Sequence, residues 1–117
     1  MTRTETATLT ALERFNEAFA RRDVDAVMAA MTADCVFEST TPPDGDRYAG
    51  AAAVREAWTD FFAASGDAVF ETEEQIACGD RVVTRWRYTW ADGFVRGVDV
   101  LRVRDGLIAE KLSYVKG

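Results

Sequence analysis

FETEEQIACGDRVVTRWRYTWADGFVRGVDVLRVRDGLIAEKLSYV, Phe70 to Val115, decides the fold. Its apolar and β-branched residues alternate with polar ones, and the alternation is punctuated by Gly79-Asp80, Asp92-Gly93 and Asp105-Gly106. A period of two with Gly and Asp at the breaks predicts strands over Phe70–Cys78, Arg81–Trp90, Phe94–Arg104 and Leu107–Val115, joined by tight hairpins. Such short connections can only join antiparallel neighbours, so the four strands form a meander. One residue resists this reading. Asp99 sits between Val98 and Val100 in the middle of an apolar strand, where an unpaired buried carboxylate would cost several kcal/mol.

The chain before this run has a different period. Leu9, Leu12, Phe15 and Phe19 recur every three or four residues and predict an amphipathic helix over Thr8–Arg22. Asp23 is placed to cap a shorter helix whose apolar face is Val24, Val27, Met28 and Met31. CVFES, Cys35–Ser39, is β-prone and leads into TTPPDGDRYAG, Thr40–Gly50, where two prolines and two glycines predict a long loop. Gly50 then opens a third helix bearing Val54, Trp58, Phe61 and Phe62, which ends at Ser65-Gly66. Helices followed by an antiparallel meander define an α+β fold: three N-terminal helices packed on one face of a strongly curved, mainly antiparallel sheet. The concave side of such a sheet is the default place for an apolar ligand pocket.

Composition narrows the function. A chain of 117 residues with 48% hydrophobic content is long enough for one globular domain, residues 1–117, with a real core. The net charge of −6 supplies neither the basic stripe that binds a phosphate backbone nor a polybasic patch for anionic lipid, so neither nucleic acid nor a membrane is an expected partner. No signal-peptide pattern opens the sequence and no apolar run approaches the roughly 20 residues that span a bilayer, which points to a cytoplasmic location. Cys35 and Cys78 are then read as reduced, partly buried thiols rather than a disulfide. Histidine is absent. Ser-His-Asp and Cys-His catalysis are thereby excluded, a metal site is not expected, and no cofactor is implied; proton transfer would rest on Asp, Glu, Tyr, Lys or Cys.

Four segments, FNEAFARRDVDAVMAAMTADCVFE (Phe15–Glu38), GAAAVREAWTDFF (Gly50–Phe62), GDRVVTRWRYTW (Gly79–Trp90) and RGVDVLRVRDGLIAEKLSYVK (Arg96–Lys116), together resemble the SnoaL-like branch of the nuclear transport factor 2-like superfamily. The resemblance implies a cone-shaped, cystatin-like fold, a homodimer through the outer sheet face, and a hollow that holds a small lipophilic molecule or an active site. In the ketosteroid isomerase relatives, a base carboxylate follows the first strand, a tyrosine lies on the first helix and a protonated aspartate lies on a late strand. These positions correspond to Ser39, Phe15 and Asp99. Only the last keeps its chemistry, because serine has no carboxylate to take a carbon-bound proton and phenylalanine cannot donate to an oxyanion. The carboxylate that SnoaL-type polyketide cyclases use near the C-terminal strand falls at Lys116 and is missing too.

The candidate catalytic residues are therefore Asp99 and, at the expected pocket mouth, Tyr48. The candidate ligand-binding residues are Phe15, Phe19, Phe37, Ser39, Trp58, Phe62 and Leu101. Two readings of Asp99 stay open. Either it faces the pocket and moves a proton, or it pairs with an arginine of a neighbouring strand such as Arg85, Arg87 or Arg96. The row Trp86, Tyr88 and Trp90 is read as core or dimer interface ahead of a ligand platform. Two functions follow: a pocket protein performing isomerisation, cyclisation or hydrolysis by carboxylate acid–base chemistry, or a non-catalytic binding or dimerisation module.

Overall fold

The computed structural model describes all 117 residues, Met1–Gly117. Helices α1 (Arg3–Ala20), α2 (Val24–Ala29) and α3 (Ala51–Ala64) pack on a sheet of strands β1 (Met31–Glu38), β2 (Arg47–Ala49), β3 (Val69–Cys78), β4 (Arg81–Trp90), β5 (Gly93–Arg104) and β6 (Leu107–Val115). The strand order is β2-β1-β6-β5-β4-β3, and every pairing is antiparallel except the parallel one between β1 and β6. The meander of β3 to β6 stands as the sequence predicts. Register shifts interrupt the ladders between Thr72 and Glu74, between Arg102 and Val103, and between Met31 and Val36. An extra residue of this kind bends the strand that carries it.

Three boundaries differ from the sequence reading. α1 starts at Arg3 rather than Thr8, because a capping box opens it: the Thr2 hydroxyl accepts from the Glu5 N–H at 3.1 Å and the Glu5 carboxylate accepts from the Thr2 N–H at 3.0 Å. The same carboxylate accepts from the Gly79 N–H at 3.3 Å, and Thr8 donates to the Gly79 carbonyl at 2.7 Å, so the first turns of α1 are tied to the β3–β4 hairpin. Met31 begins β1 instead of ending α2, whose cap is Asp23 as expected. The segment 40–49 is not wholly irregular, since Arg47–Ala49 form β2 on the edge of β1. There the cross-strand neighbours Glu38 and Arg47 make an ion pair of 2.6 Å.

The core lies between the helices and the inner sheet face. Leu12, Phe15, Val27, Val54 and Trp58 from the helices meet Cys35, Val82, Leu101 and Ile108 from the strands. α2 is fastened to α3 by Asp25 and Arg55 at 2.7 Å. Arg22, with φ of 56°, turns the chain after α1 and donates to the carbonyls of Gly66 and Ala68. Cys35 is buried, which pushes its thiol up from the ordinary value, and it is not bonded to Cys78; Cys78 is exposed, not partly buried as expected.

Candidate functional site

Alternation along β4, β5 and β6 sends Thr84, Trp86 and Tyr88, Asp99, and Lys111 and Ser113 to the same inner face. Cross-strand register places Asp99 between Thr84 on β4 and Ser113 on β6. Lys111 lies beside Phe37 on β1 and Leu101 on β5. Three polar side chains are thus brought together where the sheet faces the helices. Ser113 Oγ donates to Asp99 Oδ1 at 2.7 Å, Lys111 Nζ lies 3.2 Å from Asp99 Oδ2, and Lys111 Nζ donates to Ser113 Oγ at 3.1 Å. The Lys111 and Asp99 side chains are only 11% and 13% exposed.

A cavity opens beside this cluster. One lobe of about 730 Å³ runs between α1, the end of α3 and strands β3 to β5, and a second of about 390 Å³ runs toward Ser39, Thr40, Thr41 and Tyr48. Both volumes lie in the range of small-molecule sites. The lobes share Phe19, Phe61, Phe70, Trp86, Tyr88, Asp99 and Lys111, so the ion pair stands at their junction. Aromatic rings supply a large part of the wall. Phe19 is the hub, with ring centroids of Trp58, Phe62 and Phe70 at 5.4, 4.9 and 5.9 Å. Phe70 in turn packs on Tyr88 at 4.4 Å and on Trp86 at 5.2 Å. Gly97 makes room for this wall, because a Cβ there would collide with the Trp86 ring and the Tyr114 carbonyl.

Asp99 therefore faces the cavity, and its partner is not an arginine. Arg85, Arg87 and Arg96 point outward, where Arg85 meets Glu74 at 2.9 Å, Arg96 meets Glu73 at 3.2 Å and Arg87 stacks on Phe94 at 3.8 Å. Tyr48 lines the smaller lobe, its ring 5.8 Å from that of Phe37, and makes no hydrogen bond to Asp99. Phe19, Phe37, Trp58 and Phe62 line the cavity. Phe15 also touches it but is 1% exposed and belongs to the core. Leu101 lines neither lobe; it is a core residue under the helices. Ser39 reaches the smaller lobe, yet its hydroxyl is committed to its own loop, donating to Thr41 Oγ1 and accepting from the Asp46 N–H. Trp86 and Tyr88 line both lobes of the cavity.

Lys111 and Ser113 were the residues missed. KLSYV reads as an ordinary exposed strand end, and the only available signal was that Lys111 and Ser113 sit two apart, as neighbours on one face. Nothing in the sequence says that β1 will cover Lys111 from one side and α3 from above.

Fold and site define an α+β protein, three helices packed on a six-stranded, mostly antiparallel sheet, with a largely buried ion pair at the junction of two cavity lobes. The chain belongs to the SnoaL-like domain family, whose model matches residues 12–111. It is similar to an NTF2-like protein of unknown function from Mesorhizobium loti, at 40% identity and a TM-score of 0.88 over 100% of this chain and 97% of that one. A steroid delta-isomerase from Pseudomonas aeruginosa shares 25% identity with a TM-score of 0.79, over 100% of this chain and 85% of that one. A candidate SnoaL-like polyketide cyclase from Jannaschia sp. shares the fold at 17% identity and a TM-score of 0.85, over 99% and 90% of the two chains. Comparison with curated proteins finds no match.

Proposed function

We propose that the protein takes a small lipophilic compound into the two-lobed cavity and performs acid–base chemistry on it, an isomerisation, cyclisation or hydrolysis, with Asp99 as the proton-transfer group. The observation that carries this reading is a carboxylate at the junction of two apolar lobes, held by Ser113 and Lys111 on its two oxygens. Tyr48, at the far end of the smaller lobe, orients the substrate. The test is binding and turnover of steroid-like and polyketide-like compounds by the wild type and by Asp99→Asn. Turnover that disappears in the variant while binding persists supports the reading; equal turnover in both sinks it.

A second reading is favoured by one observation. Ser39 and Phe15 stand where the isomerase relatives carry a base and a tyrosine, and both are engaged elsewhere. On this reading the cavity binds without reacting, and the same compounds bind both proteins with no turnover in either.

The outer sheet face supports a homodimer. Val98, Val100 and Leu112 are incompletely buried there, next to Ile76 and Tyr114, which are 53% and 55% exposed. A monomer in sedimentation equilibrium at micromolar concentration counts against it. A cytoplasmic location agrees with two unpaired cysteines and with the lack of any helix long and apolar enough to cross a membrane, and fractionation of the source cells tests it.

A further inference from the structure

We infer that the larger lobe receives a neutral, hydroxyl-bearing group of the ligand, a sugar or another polyol, attached to the lipophilic part that lies at the junction of the lobes. The inference rests on the proposed use of the cavity and names the other half of its ligand. It begins with a bulge in the edge strand β3. In an unbroken strand Thr72 and Glu74 would share a face, and Gln75 would take the opposite one. The register shift breaks that alternation, so that Thr72 lies opposite Trp86, Glu74 opposite Arg85 and Gln75 opposite Thr84. Trp86 and Thr84 face inward; Thr72 and Gln75 therefore do so too, and both line the larger lobe. Glu74 is turned out to Arg85 at 2.9 Å, and Glu73 meets Arg96 at 3.2 Å. The bulge thus puts an amide in the wall where a carboxylate would have stood. Re-aiming a side chain is what bulges beside binding sites do.

Thr84 shows that this wall is built for a partner. It is 5% exposed and lines the larger lobe, yet its Oγ1 meets no donor or acceptor in the chain. A buried hydroxyl without a partner is unfavourable, so its partner has to come from what the lobe holds. Helix α1 adds Asn16 to the same lobe. Hydroxyls and amides both donate and accept, which matches them to the hydroxyls of a polyol. Charge gives no competing match. Lys111 is paired with Asp99, Glu17 with Arg21 at 3.4 Å, and Arg22 donates to the carbonyls of Gly66 and Ala68. That leaves Glu13, exposed on α1, and one hydrated carboxylate holds a cation weakly. The smaller lobe differs, because its Ser39 and Thr41 hydroxyls bond each other at 3.1 Å. The polar end of the ligand is therefore assigned to the larger lobe, where the negative ring faces of Phe70 and Tyr88 can take the C–H edges of a sugar ring.

The experiment compares four compounds with one ring system: 2-naphthyl β-D-glucopyranoside, 2-methoxynaphthalene, the cation 2-(2-naphthyloxy)ethylamine and the anion (2-naphthyloxy)acetate. Binding to the intact protein is followed by naphthyl fluorescence. Wild type should bind the glucoside about tenfold more tightly than 2-methoxynaphthalene, and more tightly than either charged compound. Thr84→Val keeps the shape of the side chain and removes the buried hydroxyl, and Gln75→Ala removes the amide that the bulge brings inward. Each should lower the preference for the glucoside about threefold, and the double variant should abolish it. Affinity for 2-methoxynaphthalene should stay at the wild-type value in all three, which also shows that they are folded. A preference that survives in the double variant overturns the assignment, as does a charged compound that binds best. So does a preference that Thr40→Ala, on the smaller lobe, removes while Thr84→Val retains it. A wild type that binds the glucoside and 2-methoxynaphthalene equally overturns the subsite and leaves the cavity reading standing; a wild type that binds none of the four overturns both.

Discussion

The two faces of the sheet carry ion pairs of nearly the same length under opposite conditions. Outward, Arg85 meets Glu74 at 2.9 Å and Arg96 meets Glu73 at 3.2 Å, with side chains 31% to 54% exposed. Inward, Lys111 meets Asp99 at 3.2 Å with both side chains at or below 13%. Distance does not separate them; solvent does. Water screens the outer pairs, which in such settings contribute about 0–1 kcal/mol. The inner pair has lost most of its hydration, so each charge depends on the other and on Ser113. A pair that costs desolvation adds little to the fold, and its place beside the cavity fits the acid–base role proposed for Asp99.

Breaking the inner pair should have the largest effect. Lys111→Met strands Asp99 among aromatic rings and is expected to destabilise the fold by about 3 kcal/mol or more in urea unfolding. Neutralising both sides, Asp99→Asn/Lys111→Met, should recover most of that loss, since no charge is left to desolvate; if the double variant is no better than the single one, the inner pair is structural in a way that the comparison misses.

Next comes the wall that separates the two faces. Gly97→Ala pushes a methyl group into the Trp86 ring and the Tyr114 carbonyl. An overpacked site of this kind costs about 1–3 kcal/mol, and here the near-ultraviolet circular dichroism of Trp86 should change with it. An unaltered melting temperature and spectrum would show that Trp86 has room to move.

The smallest effects belong to the solvent side. Arg85→Met should leave the midpoint of urea unfolding nearly unchanged, because water screens its pair with Glu74. Acid reveals the exposed carboxylates more clearly. The Arg104 guanidinium hydrogen-bonded to Asp34 holds that carboxyl below its ordinary 3.8, and the N–H groups of Thr2 and then Gly79 hold Glu5 below 4.5. A carboxyl lowered in the folded state contributes stability that is present above the unfolded value and lost as pH falls through the folded one. Asp34→Asn should therefore lower the melting temperature slightly above about pH 5, where the wild type has this stabilisation, and flatten its fall toward pH 3, so that variant and wild type converge in acid. An equal slope in variant and wild type would mean that Asp34 and Arg104 do not interact in solution.

Much of the fold was legible because it is written in local periods. The Asp-Gly breaks set the hairpins, and the three- and four-residue spacing set the helices. α1 was misjudged at its start because TETAT has no apolar period and only the Thr2–Glu5 cap marks the turn. β2 was hidden because its three residues follow Pro42, Pro43 and Gly45, and what makes them a strand is the edge of β1. Asp99 was found in the sequence because a charge within an apolar run is a local anomaly. Its partner was not, because a lysine near a strand end is an ordinary surface residue until distant elements cover it.

The sequence by itself determined the order of elements, the meander and the odd carboxylate, all of which depend on near neighbours and on the alternation of side chains along a strand. The tertiary structure alone decided that the outward arginines are irrelevant to Asp99, that Ser39 serves its loop, that Leu101 is core, and that Lys111 is buried under Phe37, Trp58 and Phe19. The reason is register. Which residue lies opposite another across a sheet, and whether a helix covers them from water, is settled by packing between segments far apart in the chain, and the electrostatics of a site follow from that cover more than from the residue types it holds.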